Sequence, residues 1–191
     1  MNPRLRAAHA AFDVHVTAIV RKGRSEGLSI PCGEGCAGCC HDVAWALPEE
    51  ARELAERVKS WPTRRRAAAT LRILVWFAEM RRAGLDPEDP LPNLRRYHAM
   101  PAASRACALL DGDRCGAYAL RPLSCRGHYV IAPDAQGCSN RAAQPQITAI
   151  VVDGPIARAV YQIQGSLSPK ERLLPVALAE ALGVQEVRCE T

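Results

Sequence analysis

The sequence predicts a mainly α protein, with helices surrounding two irregular cysteine-rich loops and at most a short hairpin. Three observations carry that expectation. Apolar residues recur at helical spacing in several segments, glycine and proline fall where helices should end or begin, and strand–helix alternation is missing.

Residues 4–22 make the first predicted helix, with Phe12, Val16, Ile19 and Val20 on one face and Gly23 and Gly27 at its end. Pro48 opens a second helix, with Glu49 and Glu50 in the first turn, where acidic groups suit the helix dipole. Its apolar face is Ala51, Leu54, Ala55 and Val58, and Trp61-Pro62 stops it. A third helix runs from about Thr63 to Ala83, with Gly84 suited to the position just past its end. Its stretch Leu71 to Ala78 reads as the most buried part of the chain, while Arg64, Arg65 and Arg66 set positive charge against the dipole at its start. Residues 84–106, with Pro87, Pro90, Pro92 and Pro101, read as a long irregular connection. Residues 107–145 also read as irregular, and Ile147–Val152 as a short strand or the lead-in to a helix. A helix is expected at about 155–164 on Ile156, Val160 and Ile163. A last one is expected from Ser168, where Pro169 and Glu171 complete a capping box, with a kink at Pro175. The organisation expected is a single domain over 1–191, with a cysteine-cluster region at about 30–140 and a C-terminal helical segment at about 154–183.

A chain of 191 residues can build a core without disulfide staples. Its net charge of +5 is mild, no basic run is long, and the aromatics, 5% of residues, are not interleaved with the basic ones. Nucleic acid is therefore not an expected partner. No run reaches the ~18 apolar residues that span a bilayer. The apolar stretch after Arg4 and Arg6 is broken by His9, Asp13 and His15, unlike a signal peptide. The expectation is a cytoplasmic protein with no membrane association. In that reducing setting, nine cysteines argue for metal binding or redox chemistry rather than disulfides.

The first cysteine group reads Cys32-Gly-Glu-Gly-Cys36-Ala-Gly-Cys39-Cys40-His41. Thiols two or three residues apart can wrap one metal centre, and the glycines allow the backbone angles of such a turn while leaving N–H groups to bond the sulfurs. Cys39 and Cys40 are adjacent, so in an extended backbone their side chains point apart. The second group holds Cys107, Cys115, Cys125 and Cys138. Asp111-Gly112 signals a hairpin. With Asp111-Gly112-Asp113 as its loop, Leu109 faces Cys115, and Cys107 and Cys115 share one side of the ribbon. Cys32, Cys36, Cys39, Cys40, Cys107, Cys115, Cys125 and Cys138 are thus the candidate metal ligands, enough for one or two four-cysteine sites. Cys189 stands apart as a bystander.

These groups resemble the CxxCxxCC-type cysteine-cluster family, described as zinc- or iron-chelating. The resemblance rests on Cys32, Cys36, Cys39 and Cys40, on Cys107, Leu109-Leu110, Cys115, Tyr118, Arg121-Pro122 and Cys125-Arg126, and on Cys138, over about residues 30–140. The first gap here is three residues long, one more than the family's label states. A module of the same kind occurs in flagellin lysine methylases in association with a [4Fe-4S] cluster, so the resemblance implies metal binding and an iron–sulfur centre.

The pattern C-x₃-C-x₂-C also serves radical S-adenosylmethionine enzymes, but there it follows a strand and opens an α/β barrel; here it follows a helix. Cys36 and Cys39 form a C-x-x-C pair without the βαβ context of a thioredoxin-like enzyme. The expected cofactor is therefore a [4Fe-4S] cluster serving electron transfer or redox-linked chemistry. The alternative is Zn2+ in a structural module that mediates protein interactions. The partner expected is a redox protein. No nucleophile–base pair or pair of catalytic carboxylates stands out, which leaves iron–sulfur oxidoreductase and accessory protein both open. His41 and His128 lie beside cysteines and read as exposed or capping groups; His9, His15 and His98 belong to no constellation. Arg121 and Arg126 are placed to bond cluster sulfurs or an anion, or to pair with Asp111 or Asp113, and Tyr118 to pack against the loop.

Overall fold

The computed structural model describes residues 2–89, 91–131, 148–150 and 171–184. Helix α1 spans Pro3–Ser25; its start is capped by the Asn2 side chain, which accepts from the Arg4 N–H. It runs through Gly23, a residue expected to end it, because Leu5, Ala8, Phe12, Val16 and Val20 form a continuous buried stripe down to that point.

Helix α2 covers Pro48–Lys59 and α3 covers Thr63–Arg82, as expected. Gly84 follows α3 at φ 62°, a left-handed conformation that glycine enters freely. The stretch 71–78 is less buried than its composition suggests. Ile73, Trp76 and Phe77 are buried, but Leu71 is 60% and Val75 38% exposed. Only one face of α3 packs inward, and an apolar composition does not say which face that is.

The connection 84–106 contains two short helices, α4 (Leu94–Ala99) and α5 (Ala102–Arg105), where an irregular segment was expected. Prolines set their bounds: Pro101 sits just before α5, where a missing N–H costs nothing. Helix α6 (Leu123–Arg126) begins in the same way after Pro122.

Among the described residues the strands form three antiparallel pairs: β1 (Trp45–Ala46) with β6 (Arg172–Leu173), β2 (Leu110–Asp111) with β3 (Arg114–Cys115), and β4 (Tyr129–Ile131) with β5 (Thr148–Ile150). The stretch 147–152 therefore contributes a strand at its centre. The last described helix, α7, spans Leu174–Leu182 and ends at Gly183, φ 70°. It does not run from Ser168: residues 172–173 are extended and pair with β1, so the helix starts after them. Pro175 lies in its first turn and causes no kink, since the N–H it lacks has no helical partner at that position. The rest of the expected segment 154–183, including the helix at 155–164 and the Ser168 cap, lies outside the described residues.

Two cores result. The larger joins α2, α3, α4 and α7 around Leu54, Ile73, Trp76, Met80, Tyr97 and Leu178. The smaller sets Phe12, Val16 and Val20 of α1 against Ile30 and Leu123. Between them lies Glu50, 1% exposed. Its carboxylate accepts from the Leu47 N–H at 2.9 Å and the Leu123 N–H at 2.9 Å, and it bonds His9 Nε2 at 2.8 Å. One buried carboxylate thus ties α1, the start of α2 and the start of α6 together.

Burial, followed by the Glu50 charge, raises the Glu171 carboxyl above the ordinary glutamate value of 4.5. The folded chain then holds a proton that the unfolded chain has already released, so stability falls as pH rises from about 4.5 through the folded value, and the penalty persists above it. Glu171→Gln should raise the melting temperature at pH 7 and leave it unchanged near pH 3.5. Thermal scans at the two pH values check this; an equal shift at both would mean that charge is not the cause.

Candidate metal centre

The first cysteine group lies between α1 and β1, and α1 itself holds the loop. From the helix end, the Arg24 guanidinium donates to the carbonyls of Ile30 at 2.7 Å and Cys32 at 2.9 Å. Gly35 turns the loop at φ 90°, and the Cys36 N–H donates to the Gly33 carbonyl at 3.2 Å. A 3-10 turn over Gly38–His41 then delivers Cys39 and Cys40. In this turn, unlike an extended chain, the neighbouring thiols come within hydrogen-bonding reach of each other.

The second group docks on the first through the backbone: the Cys107 N–H donates to the Cys40 carbonyl at 2.7 Å. The hairpin forms where Asp111-Gly112 signalled it, but Leu110, not Leu109, pairs with Cys115. The loop is the two residues Gly112 and Asp113, with Gly112 at φ 58°; a primed two-residue turn follows the natural twist of the strands and displaces the three-residue loop expected. Cys107 lies outside the ladder, placed by a turn in which the Leu110 N–H donates to its carbonyl at 3.0 Å.

Cys125 sits in α6, fixed from three sides. The Leu123 N–H bonds Glu50; the Ser124 hydroxyl donates to the Trp45 carbonyl at 2.6 Å and accepts from the Trp45 N–H at 3.0 Å. Arg126, buried at 6% exposure, pairs with Asp13 and donates to the carbonyls of Ala119 and Arg121.

Cys32, Cys36, Cys39 and Cys125 line one cleft together with Tyr118, Arg121, His128 and Tyr129, around a void of about 30 Å³. Among the described residues the cleft joins three thiols of the first group to one of the second. Cys40 does not line that cleft; beyond its bond with Cys39, the charges of Cys107 and Cys115 act on it. The two sequence groups therefore interleave in space. All seven cysteines among the described residues are free thiols.

The Val130 N–H donates to the Cys32 sulfur at 3.3 Å. Burial raises Cys32 above the ordinary thiol value, opposed by that N–H, and does the same to Cys115 and more strongly to Cys125. Cys107 is pushed by burial up to about 12. Cys39 is the exception, lowered to about 7 by the hydrogen bond from Cys40 and then by the Arg121 guanidinium, while Cys40 is raised for the mirror reason. Among the described residues no three His, Cys, Asp or Glu side chains are gathered as a ready single-ion site.

Cys138 and Cys189 lie outside the described residues. His128 lines the cleft, whereas His41 Nδ1 bonds the Ala102 carbonyl at 3.0 Å. His9 and His98 have constellations after all: His9 bonds Glu50, and His98 bonds Asp42 at 3.1 Å. Arg121 stacks on Tyr118 at 3.6 Å and donates to its carbonyl, and Arg126 takes Asp13; Asp111 pairs with Arg65 instead. Arg24, Glu50 and the Val130 N–H were not foreseen as supports of this site. Glu50 carried a signal in the half capping box that it forms with Leu47; the other two carried none.

No curated protein and no solved structure matches this chain detectably. A family model does, over residues 31–144, more than half of the chain and the same segment that contains both cysteine groups. By that match the chain belongs to the CxxCxxCC family, described as "Putative zinc- or iron-chelating domain".

Proposed function

We propose that the chain holds a [4Fe-4S] cluster on thiolates of this cleft and serves electron transfer or redox-linked chemistry with a protein partner. The observation that carries the reading is the convergence of Cys32, Cys36, Cys39 and Cys125 on one cleft from distant parts of the sequence. A cluster held there supplies one-electron exchange. The chain contributes thiolate ligation, the Val130 N–H on the Cys32 sulfur, the Arg24 and Arg121 charges acting on Cys32 and Cys39, and partial exclusion of water. Cys40, Cys107 and Cys115 form a neighbouring reserve of thiols.

The second reading is a structural zinc site in a module that mediates protein interactions, favoured by the donor set: four thiols converging on one cleft are what a closed structural zinc site uses. No helix among the described residues is long and apolar enough to cross a membrane. The deciding experiment is iron, zinc and acid-labile sulfide per chain, with a visible spectrum, on protein purified without oxygen. Iron and sulfide in equal amounts are the expected result. Zinc without sulfide would replace the cluster reading with the structural one.

A further inference from the structure

The three arginines at the start of α3 do not line the thiol cleft. Arg64 and Arg65 lie in the first turn beyond Pro62, which provides no side-chain cap, and no acidic residue stands in that turn. The first N–H groups of a 20-residue helix are thus left to water or to a ligand, with guanidiniums set beside them against the dipole. A groove of about 360 Å³ opens between this turn and the β2–β3 hairpin, with Trp61, Arg64, Arg65, Arg72, Leu110 and Asp111 on its walls.

The groove is constructed rather than incidental. The Arg65 guanidinium stacks on the Trp61 ring at 4.0 Å and pairs with Asp111 at 3.0 Å. Position 116 is glycine, and a Cβ there would collide with that guanidinium. Arg72 donates to the Leu110 carbonyl. Arg64 is exposed and makes no hydrogen bond or ion pair among the described residues. Trp61 is 7% exposed, and its indole N–H is buried without an acceptor, as is the Arg65 Nε–H. Three guanidiniums face one carboxylate, beside an uncapped helix start and two unused donors.

We propose that this groove binds the phosphoryl group of a small ligand. Guanidiniums match the oxygen pairs of a phosphate by two parallel hydrogen bonds, and a helix N-terminus adds N–H donors and positive potential. The volume lies in the range of small-molecule pockets. A phosphate here would offset the charge that the arginines place against the dipole. The groove owes nothing to the identity of the metal, so it can be tested on the chain as purified.

The test is calorimetric titration of the full chain with inorganic phosphate, pyrophosphate and AMP, in chloride of matched ionic strength. Saturable binding is expected, weakened at least tenfold by Arg64→Gln and by Arg72→Gln but unchanged by Arg95→Gln, an exposed arginine elsewhere. Arg64 has no hydrogen bond or ion pair among the described residues, so its variant remains informative if Arg72→Gln does not fold. AMP bound tenfold tighter than phosphate would assign a nucleotide; equal affinities would assign the phosphoryl group alone. Absence of saturable binding, or equal weakening by Arg95→Gln, would overturn the proposal.

Discussion

Glu50→Ala should cost about 3–5 kcal/mol of folding stability, the cost of breaking a buried charged network. The side chain is 1% exposed, and alanine would strand the backbone donors of Leu47 and Leu123 together with the His9 ring nitrogen, in a place water does not reach. Each stranded donor costs on the order of 1–3 kcal/mol. A domain of this size has roughly 5–15 kcal/mol in total, so the variant should sit near its unfolding threshold at 37 °C. Glu50→Gln keeps the shape but replaces one acceptor with a donor, and a loss of roughly 1–3 kcal/mol is expected. Urea unfolding followed by circular dichroism measures both. A loss below about 1 kcal/mol for the alanine variant would mean that the network does not exist in solution.

Cys125→Ser should remove most of the bound metal. Among the described residues Cys125 is the one thiol of the second group that lines the cleft with Cys32, Cys36 and Cys39, and α6 holds it there through Glu50, Ser124 and Arg126. A serine hydroxyl does not ionise at neutral pH and cannot replace the thiolate. Loss of outer supports alone weakens metal sites about 10–100-fold, so loss of a ligand should weaken this one on the order of 100-fold or more. Metal content after dialysis against a competing chelator reads the effect, with Cys189→Ser as the comparison. Unchanged metal in the Cys125 variant would take that residue out of the ligand set.

The elements that could be read from the sequence were those with local punctuation. Pro48, Trp61-Pro62 and Gly84 bound α2 and α3 where the structure has them, and Asp111-Gly112 marked the hairpin. Features that depend on distant partners escaped. The exposed face of α3 could not be told from its buried face, because Leu71 and Ile73 are alike in composition and differ only in what lies against them. Glu50 read only as an acid suited to a helix start; its partners Leu123 and His9 come from other segments. In the candidate site, the cysteines announce themselves by spacing. Their sorting did not: Cys125 joins the first group at the cleft and Cys40 stays out of its lining, because turns and backbone docking decide where each thiol points.

The pairing of β1 with β6 has a consequence for how the protein is made. Trp45 and Ala46, directly after the first cysteine loop, find their partners only at Leu173 and Arg172. On the ribosome, at about 5–20 residues per second, the second strand follows the first by roughly 6–25 s. Throughout that interval the strand that pins the loop of Cys32 to Cys40 to the body of the protein has not been synthesised. The nascent chain thus carries an open, glycine-rich thiol loop before the strand that pins it exists.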